Sequence, residues 1–371
     1  MSRSPMIILG ASARAAAESA RRAGYEPWAI DLFGDRDLRE IAWVRVCPRD
    51  QYPAAMLRLM RDAPPDAAVL LTGAMENHPQ LIEAVAFSRP LVGASAEAIR
   101  QVRDPLALPT LKPTRGLKLC KTRRGAGLMQ RLGGLLPFTR TKYLVKPYAS
   151  AGGAGIRFWE PGSRVGRDEY LQQYVGGTPC SAVFHSDGWS SRLLGATEQL
   201  LGETAFGARQ FQYCGSIGPL GLTETAREAL SHLGVQLAQR FDLRGPFGVD
   251  FIQDWRGRFW PVEVNPRYVA SAEVLEKSRG IAVLAPVGKS AKGKAAPPVG
   301  KAILFARSRV RVGDLYELFP ADELADVPEP GRLVDEGDPV CTLFARGPSR
   351  DACFEQLREK AKRVYGWLDE A

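Results

Sequence analysis

The first 31 residues alternate between apolar runs and a helical pattern, and this alternation limits the fold more than any other feature. Residues 6–12 read MIILGAS, residues 13–24 read as a helix that ends at Gly24, and residues 25–31 form a second apolar run that closes on Asp31. A strand, a helix and a second strand in this order are typical of a parallel α/β unit. We expect a further buried strand at 67–73, a helix from Glu76, and the end of the first domain at 89–95.

Length and composition exclude several classes of protein. The chain has 371 residues, which predicts two or three domains at roughly 150 residues each. No apolar run approaches the ~20 residues of a membrane-spanning helix, and Glu18 soon follows the short apolar start, so we expect neither a membrane protein nor a signal peptide. The six cysteines form no CxxC pair, and we expect reduced thiols in a cytoplasmic protein.

The positive charge of the chain is concentrated in one stretch. The formal net charge is +9, and residues 89–146 contain thirteen Lys and Arg but only two acids, Glu97 and Asp104. This stretch has three interpretations: a nucleic-acid face, a site for small anions, or a solvated basic surface. It lacks the interleaved aromatic residues of a single-strand binder, which argues against nucleic acid as a partner.

The remaining chain predicts strands, two hairpins and two long helices. Residues 96–140 show no clear pattern, and residues 286–298 read as a linker of Gly, Lys and Pro. The predicted elements are a strand, glycine-rich loop and strand at 143–161, a strand at 170–177, a hairpin at 181–200 that turns at Asp187-Gly188, an amphipathic helix at 223–241, a hairpin at 245–267 that turns at Arg256-Gly257, and a last helix with apolar Phe354, Leu357, Ala361, Val364 and Leu368.

The second hairpin holds the most informative polar residues. Its two short strands bring Asp250 close to Glu263, and Asn265 lies two residues beyond Glu263 on the same face. Two carboxylates and an amide oxygen suit Mg²⁺, which prefers oxygen ligands and leaves room for phosphate oxygens. Arg267, two residues further on, is a cation able to hold phosphate. The alternative is an ordinary hairpin with solvated acids, which the combination of four such residues disfavours.

A lysine in a predicted apolar strand precedes the glycine-rich loop. Lys146 lies in an otherwise apolar strand, so it must pair with an anion or extend its ammonium to the surface. Gly152, Gly153 and Gly155 follow, and glycines allow backbone N–H groups to approach phosphate oxygens closely. The strand LQQYVGG then ends in glycines, where backbone groups can meet an adenine edge. Taken alone, the loop reads more simply as a hairpin tip and the strand as an ordinary strand end.

In this order, the three segments resemble the ATP-grasp superfamily: VKP with a glycine loop, then a hinge strand, then DF followed by E-x-N-P-R. The resemblance covers about residues 6–280, and the tail resembles the small closing domain of biotin-carboxylase-like members. It implies an α/β fold of the α+β ATP-grasp type. The implied parts are an N-terminal parallel α/β domain at 1–95, a central domain of two subdomains at 96–285 with a flexible lid at about 141–170, and a linker with a small C-terminal α/β domain at 286–371.

The resemblance also implies ATP and Mg²⁺ as cofactors, with Mn²⁺ as an alternative metal, and a role for each matching residue. Lys146 is expected to contact ATP, and the three glycines to cover the phosphates. The remaining expectations are Gln172, Gln173 and Val175 at the adenine, Gln199 near the ribose or substrate, Asp250, Glu263 and Asn265 on the metal, Arg267 and Lys146 as catalytic cations, and Glu76 and Asn77 facing the substrate or starting a helix.

Two positions depart from the family pattern. Pro179 stands where many members carry a glutamate that holds the ribose, so the ribose contact is left without its usual residue. The first ATP lysine of the family has no clean match, and Lys112, Lys118 and Lys121 all compete for it. The hinge sequence GTPCS resembles amide ligases of cofactor biosynthesis, such as tyramine–glutamate ligases of the methanofuran type.

The sequence therefore supports three functional hypotheses. The first is an ATP-dependent ligase that activates a small carboxylate as an acyl phosphate and joins it to an amine, in the biosynthesis of a one-carbon carrier of the methanofuran or tetrahydromethanopterin type. The second is a regulatory ATP-binding protein without turnover. The third is an RNA-binding protein that uses the basic stretch. Small-molecule acids and amines are the expected partners, and a homodimer remains open.

Overall fold

The computed structural model describes residues 3–125, 141–285 and 296–370. The N-terminal part is a parallel sheet with the strand order β3-β2-β1-β4. Its elements are β1 Ser4–Leu9, α1 Arg14–Arg22, β2 Tyr25–Asp31, α2 Arg36–Arg39, β3 Trp43–Val46, α3 Ala54–Leu59, β4 Ala68–Leu71 and α4 Pro79–Ser88. The predicted parallel α/β unit is confirmed. The helix expected from Glu76 begins at Pro79 because Met75–Asn77 form a short 3-10 turn.

Residues 96–140 showed no clear pattern in the sequence, but the stretch begins with helix α5, Ala96–Arg103. The expectation of an unpatterned segment was therefore wrong for these eight residues. Ser95 caps this helix, since its side chain accepts a hydrogen bond of 3.1 Å from the Ala98 N–H. Ala98, Ile99 and Val102 form its buried face, which the surrounding basic residues conceal in the sequence. Residues 126–140 of the basic stretch, and residues 286–295 of the predicted linker, lie outside the described residues.

A small antiparallel sheet carries the glycine-rich loop. Its strands are β5 Thr122–Arg123, β6 Tyr143–Pro147, β7 Arg157–Phe158 and β8 Glu169–Gln173, in the order β5-β8-β6-β7. Tyr143, Val145 and Leu171 form its buried core. Lys146 is paired directly with Tyr170 across β6 and β8, so these two side chains point to the same face.

A large antiparallel sheet, in the order β13-β12-β9-β10-β11-β14-β18-β16, forms the centre of the molecule. Both predicted hairpins are confirmed as β9 with β10 and β12 with β13. Strands after residue 298 continue this same sheet through β11 and β14. The remaining elements are β9 Thr178–Asp187, β10 Ser191–Leu201, β11 Tyr213–Gly218, α6 Glu224–Phe241, β12 Arg244–Gln253, β13 Phe259–Asn265, α7 Ala270–Arg279, β14 Val299–Phe305, β15 Val310–Arg311, β16 Leu324–Ala325, β17 Leu333–Val334, β18 Pro339–Arg346 and α8 Arg350–Glu370.

The first sheet is held against the central sheet by buried ion pairs and one backbone contact. Glu273 of α7 accepts hydrogen bonds from Arg14 of α1 and from Lys301 of β14, the latter at 2.6 Å. Just after β13, the Tyr268 N–H donates to the Leu71 carbonyl at the end of β4, at 3.2 Å. The carboxyl edge of the parallel sheet is therefore fixed beside the end of β13.

Two further sequence expectations concern the whole chain. All six cysteines are buried and free, as expected for reduced thiols. Across the described ranges, every helix is too short or too polar to cross a bilayer.

Candidate functional site

The β12–β13 hairpin places the predicted metal-binding side chains together. Asp250 and Glu263 are directly opposed across the two strands. Asp250 accepts one hydrogen bond from the Asn265 amide at 2.9 Å and another from the Gln199 amide at 3.0 Å. Burial, together with the charge of Glu263, raises the pKa of Asp250 to about 6. Gln199, expected near the ribose or the substrate, thus lies beside the predicted metal ligands.

Two cations face Glu263, and only one of them was predicted. Arg103, at the end of α5, forms an ion pair with Glu263, and its side chain is 12% exposed. Lys146 lines the same cleft, and its charge also acts on Glu263. Burial alone would raise the pKa of Glu263, but the charges of Arg103 and Lys146 outweigh burial and lower it. Glu263 is therefore ionised and already neutralised by its neighbours.

Lys146 is buried and hydrogen bonded rather than extended to the surface. Its ammonium donates to the Gln172 side-chain oxygen at 3.3 Å and lies 5.9 Å from the centre of the Tyr170 ring. The Gln172 amide in turn donates to the Val262 carbonyl at 3.0 Å. Burial would lower the pKa of Lys146, but Tyr170 and Glu263 raise it, so the ammonium stays charged.

The predicted adenine contacts have different surroundings. The Gln173 N–H is already used, because it donates to the Lys121 carbonyl at 2.8 Å, and its side chain accepts from the Lys121 N–H. A contact between the Gln173 N–H and adenine is therefore unavailable in this arrangement. Val175 follows β8 and has no hydrogen bond to any of the described residues, so its backbone groups are free. Pro179 lies in β9, opposite Ile252.

The glycine-rich loop lies against the segment before β11. Gly152, Gly153 and Gly155 all have positive φ angles, of 60°, 84° and 77°. A Cβ atom on Gly153 would lie 2.0 Å from the Phe211 carbonyl oxygen, so glycine is required there. The Gly152 carbonyl accepts a hydrogen bond of 3.0 Å from Tyr213. A lid function for the loop stays a prediction.

Arg267 joins the hairpin to the parallel sheet. Its guanidinium donates to Glu76 at 2.8 Å and to the Asn265 oxygen at 3.3 Å. The second oxygen of Glu76 is buried and has no hydrogen-bond partner among the described residues. Asn77 donates to the Ser150 carbonyl, at the start of the glycine loop, at 3.2 Å. Glu76 and Asn77 therefore both reach the site, and neither starts α4.

Glu263, Arg103, Lys146 and Gln172 line one cleft that is partly open to solvent, and Asp250 lies next to it, opposed to Glu263. The cleft is lined by Val102, Arg103, Asp104, Pro105, Leu108, Lys146, Pro147, Tyr148, Ser150, Tyr170, Gln172, Val262, Glu263 and Val264. None of the three candidate lysines lines it, and the side chains of Lys112, Lys118 and Lys121 are exposed. Arg103 is the cation that the sequence analysis missed. Its only signal is a position in the last turn of α5, beside the buried Val102.

The donor set fits Mg²⁺ in the presence of a nucleotide. No group of three His, Cys, Asp or Glu side chains within the described ranges forms a complete metal cage. The site instead offers two carboxylates, Asp250 and Glu263, and the oxygen of Asn265. Mg²⁺ is usually held by one or two carboxylates together with water and substrate phosphates, so this incomplete set suits a metal that arrives with phosphate.

A family model described as an ATP-grasp domain matches residues 135–271. The chain contains an ATP-grasp domain. The match includes β6, the glycine loop, β8 and the β12–β13 hairpin. A curated relative, an uncharacterized protein of Methanocaldococcus jannaschii, is 26% identical over 134 residues, which cover 34% of this chain and 34% of that protein. The chain thus matches only about a third of the length of this relative.

Solved structures extend the ATP-grasp likeness over nearly the whole chain. One is the biotin carboxylase domain of 2-oxoglutarate carboxylase from Hydrogenobacter thermophilus, with MgADP, ADP and bicarbonate; its TM-score is 0.68 at 16% identity, covering 96% of this chain and 89% of that chain. Another is N5-carboxyaminoimidazole synthetase from Staphylococcus aureus with ADP, at a TM-score of 0.67 and 14% identity, covering 96% and 97%. These likenesses establish the ATP-grasp fold beyond the matched segment.

Proposed function

We propose that this chain is an ATP-dependent carboxylate–amine ligase. The observation that carries the proposal is a cleft in an ATP-grasp fold that Glu263 and Lys146 line, with Asp250 opposed to Glu263 across the hairpin. Asn265 is hydrogen bonded to Asp250 and to Arg267, so these side chains lie next to the cleft. In the proposed reaction, a substrate carboxylate attacks the γ-phosphate of ATP, ADP leaves, and an acyl phosphate forms. An amine then attacks the acyl carbon and displaces phosphate, which gives the amide.

The residues of the chain act on this reaction chiefly by placing charge. Mg²⁺, when bound with ATP, supplies positive charge at the transferring phosphate. Lys146 is already fixed by Gln172 and needs little reorganisation to hold an anionic oxygen. Arg267 is fixed by Glu76 and Asn265 at the edge of the parallel sheet, where it is placed to orient a carboxylate. The loop at 150–155 would exclude water that hydrolyses the acyl phosphate.

The substrate part of the proposal is a small acid joined to an amine in cofactor biosynthesis, of the methanofuran or tetrahydromethanopterin type. The support is the resemblance of GTPCS at residues 177–181 to ligases of that kind. The bicarbonate in the structure from Hydrogenobacter thermophilus supports a small acid in this fold. That neighbour is a dimer, and we propose that this chain also forms a homodimer. Light scattering would test this by measuring the mass of the particle in solution.

The test is ADP release with Mg²⁺-ATP, in which glutamate, aspartate, pterin acids and furan acids are crossed with tyramine, amino acids and polyamines. Mass spectrometry then identifies the products. Hydroxylamine, added with each acid alone, traps an acyl phosphate as a hydroxamate without any knowledge of the amine. A hydroxamate that forms only when a particular acid is present would support the ligase. If ATP binds and no acid of the panel gives a hydroxamate, the ligase proposal is contradicted for these acids.

A regulatory ATP-binding protein without turnover is the second candidate. Two observations favour it: Pro179 stands in the place of a ribose-binding glutamate, and Arg103 already neutralises Glu263. Such a protein would bind ATP and release no ADP with any acid. A change in its oligomeric state or hydrogen exchange on ATP binding, without ADP release, would support this function instead.

A further inference from the structure

Arg103 lines the same cleft as Lys146 and lies between Glu263 and Asn77. We propose that Arg103 is a phosphate-binding cation of the nucleotide site, and that it exchanges Glu263 for a nucleotide phosphate oxygen when the metal–nucleotide complex enters. The proposal rests on the proposed function in that it needs ATP in this cleft, but it does not need turnover. Arg103 would then be a second phosphate-binding cation beside Lys146. It lies before the segment that matches the ATP-grasp family model, and the sequence patterns did not single it out.

Arg103 and a bound metal ion would compete for Glu263. One oxygen of Glu263 accepts from the Arg103 guanidinium. If Glu263 becomes a metal ligand, Mg²⁺ and Arg103 compete for the same carboxylate. A guanidinium stays protonated under all ordinary conditions, and a charge of low exposure is costly without a counter-ion. Arg103 must therefore find another anion close by, and the phosphates of the nucleotide bring one into the same cleft.

Few cations of the described residues reach the cleft. In the part of the chain that the structure describes, Lys146 and Arg103 are the only Lys or Arg side chains that line the cleft. Lys146 already donates to Gln172. Lys118 and Lys121, which both precede β5, are exposed. The planar guanidinium of Arg103 can hold two phosphate oxygens at once, which an ammonium does less specifically.

Asn77 connects Arg103 to the glycine loop by hydrogen bonds. Arg103 donates a long hydrogen bond of 3.4 Å to the Asn77 oxygen, and the Asn77 amide donates to the Ser150 carbonyl at 3.2 Å. Ser150 begins the loop that contains Gly152 and Gly153. A phosphate bound by Arg103 would therefore lie beside the loop that the family resemblance assigns to the phosphates, and Asn77 would connect the two.

Equilibrium binding tests the proposal without turnover. Calorimetry would measure the affinities of adenosine, ADP and ATP with Mg²⁺ for the wild type, Arg103→Gln and Arg103→Lys. Arg115→Gln is the matched control, because it removes an exposed arginine that does not line the cleft. We expect Arg103→Gln to weaken ATP and ADP binding about 10- to 100-fold, the range for loss of a charged hydrogen bond, while adenosine binding is unchanged. Arg103→Lys should recover part of the loss, and Arg115→Gln should match the wild type.

A metal measurement gives the second readout. Since Arg103 competes with the metal for Glu263, Arg103→Gln should bind Mn²⁺ without nucleotide more tightly than the wild type, as detected by electron paramagnetic resonance. Equal losses for ATP and adenosine, or no loss at all in Arg103→Gln, would overturn the proposal, and thermal melting confirms that each variant is folded. A wild type that binds no nucleotide would overturn both proposals, whereas tight ATP binding without an acyl phosphate would overturn only the ligase.

Discussion

Replacement of Glu263 by glutamine gives the sharpest test of the site. The change keeps the shape of the side chain and removes one negative charge between Arg103, Lys146 and Asp250. A glutamine oxygen is a poorer ligand for Mg²⁺ than a carboxylate oxygen. The variant should therefore lose metal-dependent catalysis, while its affinity for ATP without metal is kept or increased because the cleft becomes more positive.

The magnitude follows from the charges at this position. Opposite charges about 4 Å apart interact by about 4 kcal/mol at an effective dielectric constant of about 20, and the 30% exposure of Glu263 reduces this value. A loss of about 3 to 4 kcal/mol of transition-state stabilisation corresponds to a fall in kcat of roughly 100- to 1000-fold. The loss of the ion pair with Arg103 should destabilise the fold by only about 1 to 3 kcal/mol.

The assay is acid-dependent hydroxamate formation over a range of Mg²⁺ concentrations, combined with calorimetry of ATP with and without metal. Glu198→Gln is the matched control, because Glu198 is also a strand carboxylate paired with an arginine, Arg350, at 2.6 Å. This control should show the same stability loss without the catalytic loss. If Glu263→Gln kept near-normal kcat at the normal Mg²⁺ requirement, the metal assignment would be refuted.

Three further changes test separate features. Lys146→Gln should weaken ATP binding at least tenfold, measured by calorimetry; unchanged affinity would exclude a phosphate contact. Gly153→Ala should displace the loop, because the new Cβ would clash with the Phe211 carbonyl, and it should increase loop proteolysis and the KM for ATP. Gly152→Ala is the control, since its Cβ would face open space at a similar positive φ, so that it carries the backbone cost without the clash. Burial and neighbouring acids raise the pKa of Asp35 to about 8, so between about pH 4 and 8 the folded protein keeps a proton that the unfolded chain has released. The unfolding free energy should therefore fall by up to about 1.4 kcal/mol per pH unit over this window. Asp35→Asn should flatten this slope in urea melts, and an unchanged slope would contradict the assignment.

The sequence predicted the parts of the site that depend on local patterns. Asp250 and Glu263 lie on the two arms of one short hairpin, and the Arg256-Gly257 turn limits their register to a few choices. Glu263 and Asn265 then share a face because side chains alternate along a strand. Lys146 could be predicted in a strand for the same reason, since the residues around it are apolar.

The parts that the sequence did not predict depend on contacts between distant segments. Arg103 and Glu263 are 160 residues apart, and nothing in a run of thirteen basic residues distinguishes the one that faces inward. The position of Gln199 beside Asp250 likewise requires that β9 lie between β10 and β12. The pairing of β11 with β14 could not be read from the sequence. The linker pattern at 286–298 suggests that the C-terminal residues form a separate domain rather than continue the central sheet.

The balance of charge in the cleft connects the metal site to the parallel sheet. In and next to the cleft, Arg103, Lys146 and Arg267 balance the charges of Glu263, Asp250 and Glu76 before any nucleotide enters. Asp104, which also lines the cleft, is paired with Arg124. A complex of Mg²⁺ with ATP adds a net charge of about −2, and the metal takes carboxylate charge away from the arginines. The cations released in this way are the groups that can hold the transferring phosphate and the substrate carboxylate. Because Glu76 comes from the N-terminal domain and holds Arg267, the position of that domain would determine whether Arg267 can turn toward a carboxylate, which would make it a part of the proposed acid-binding site.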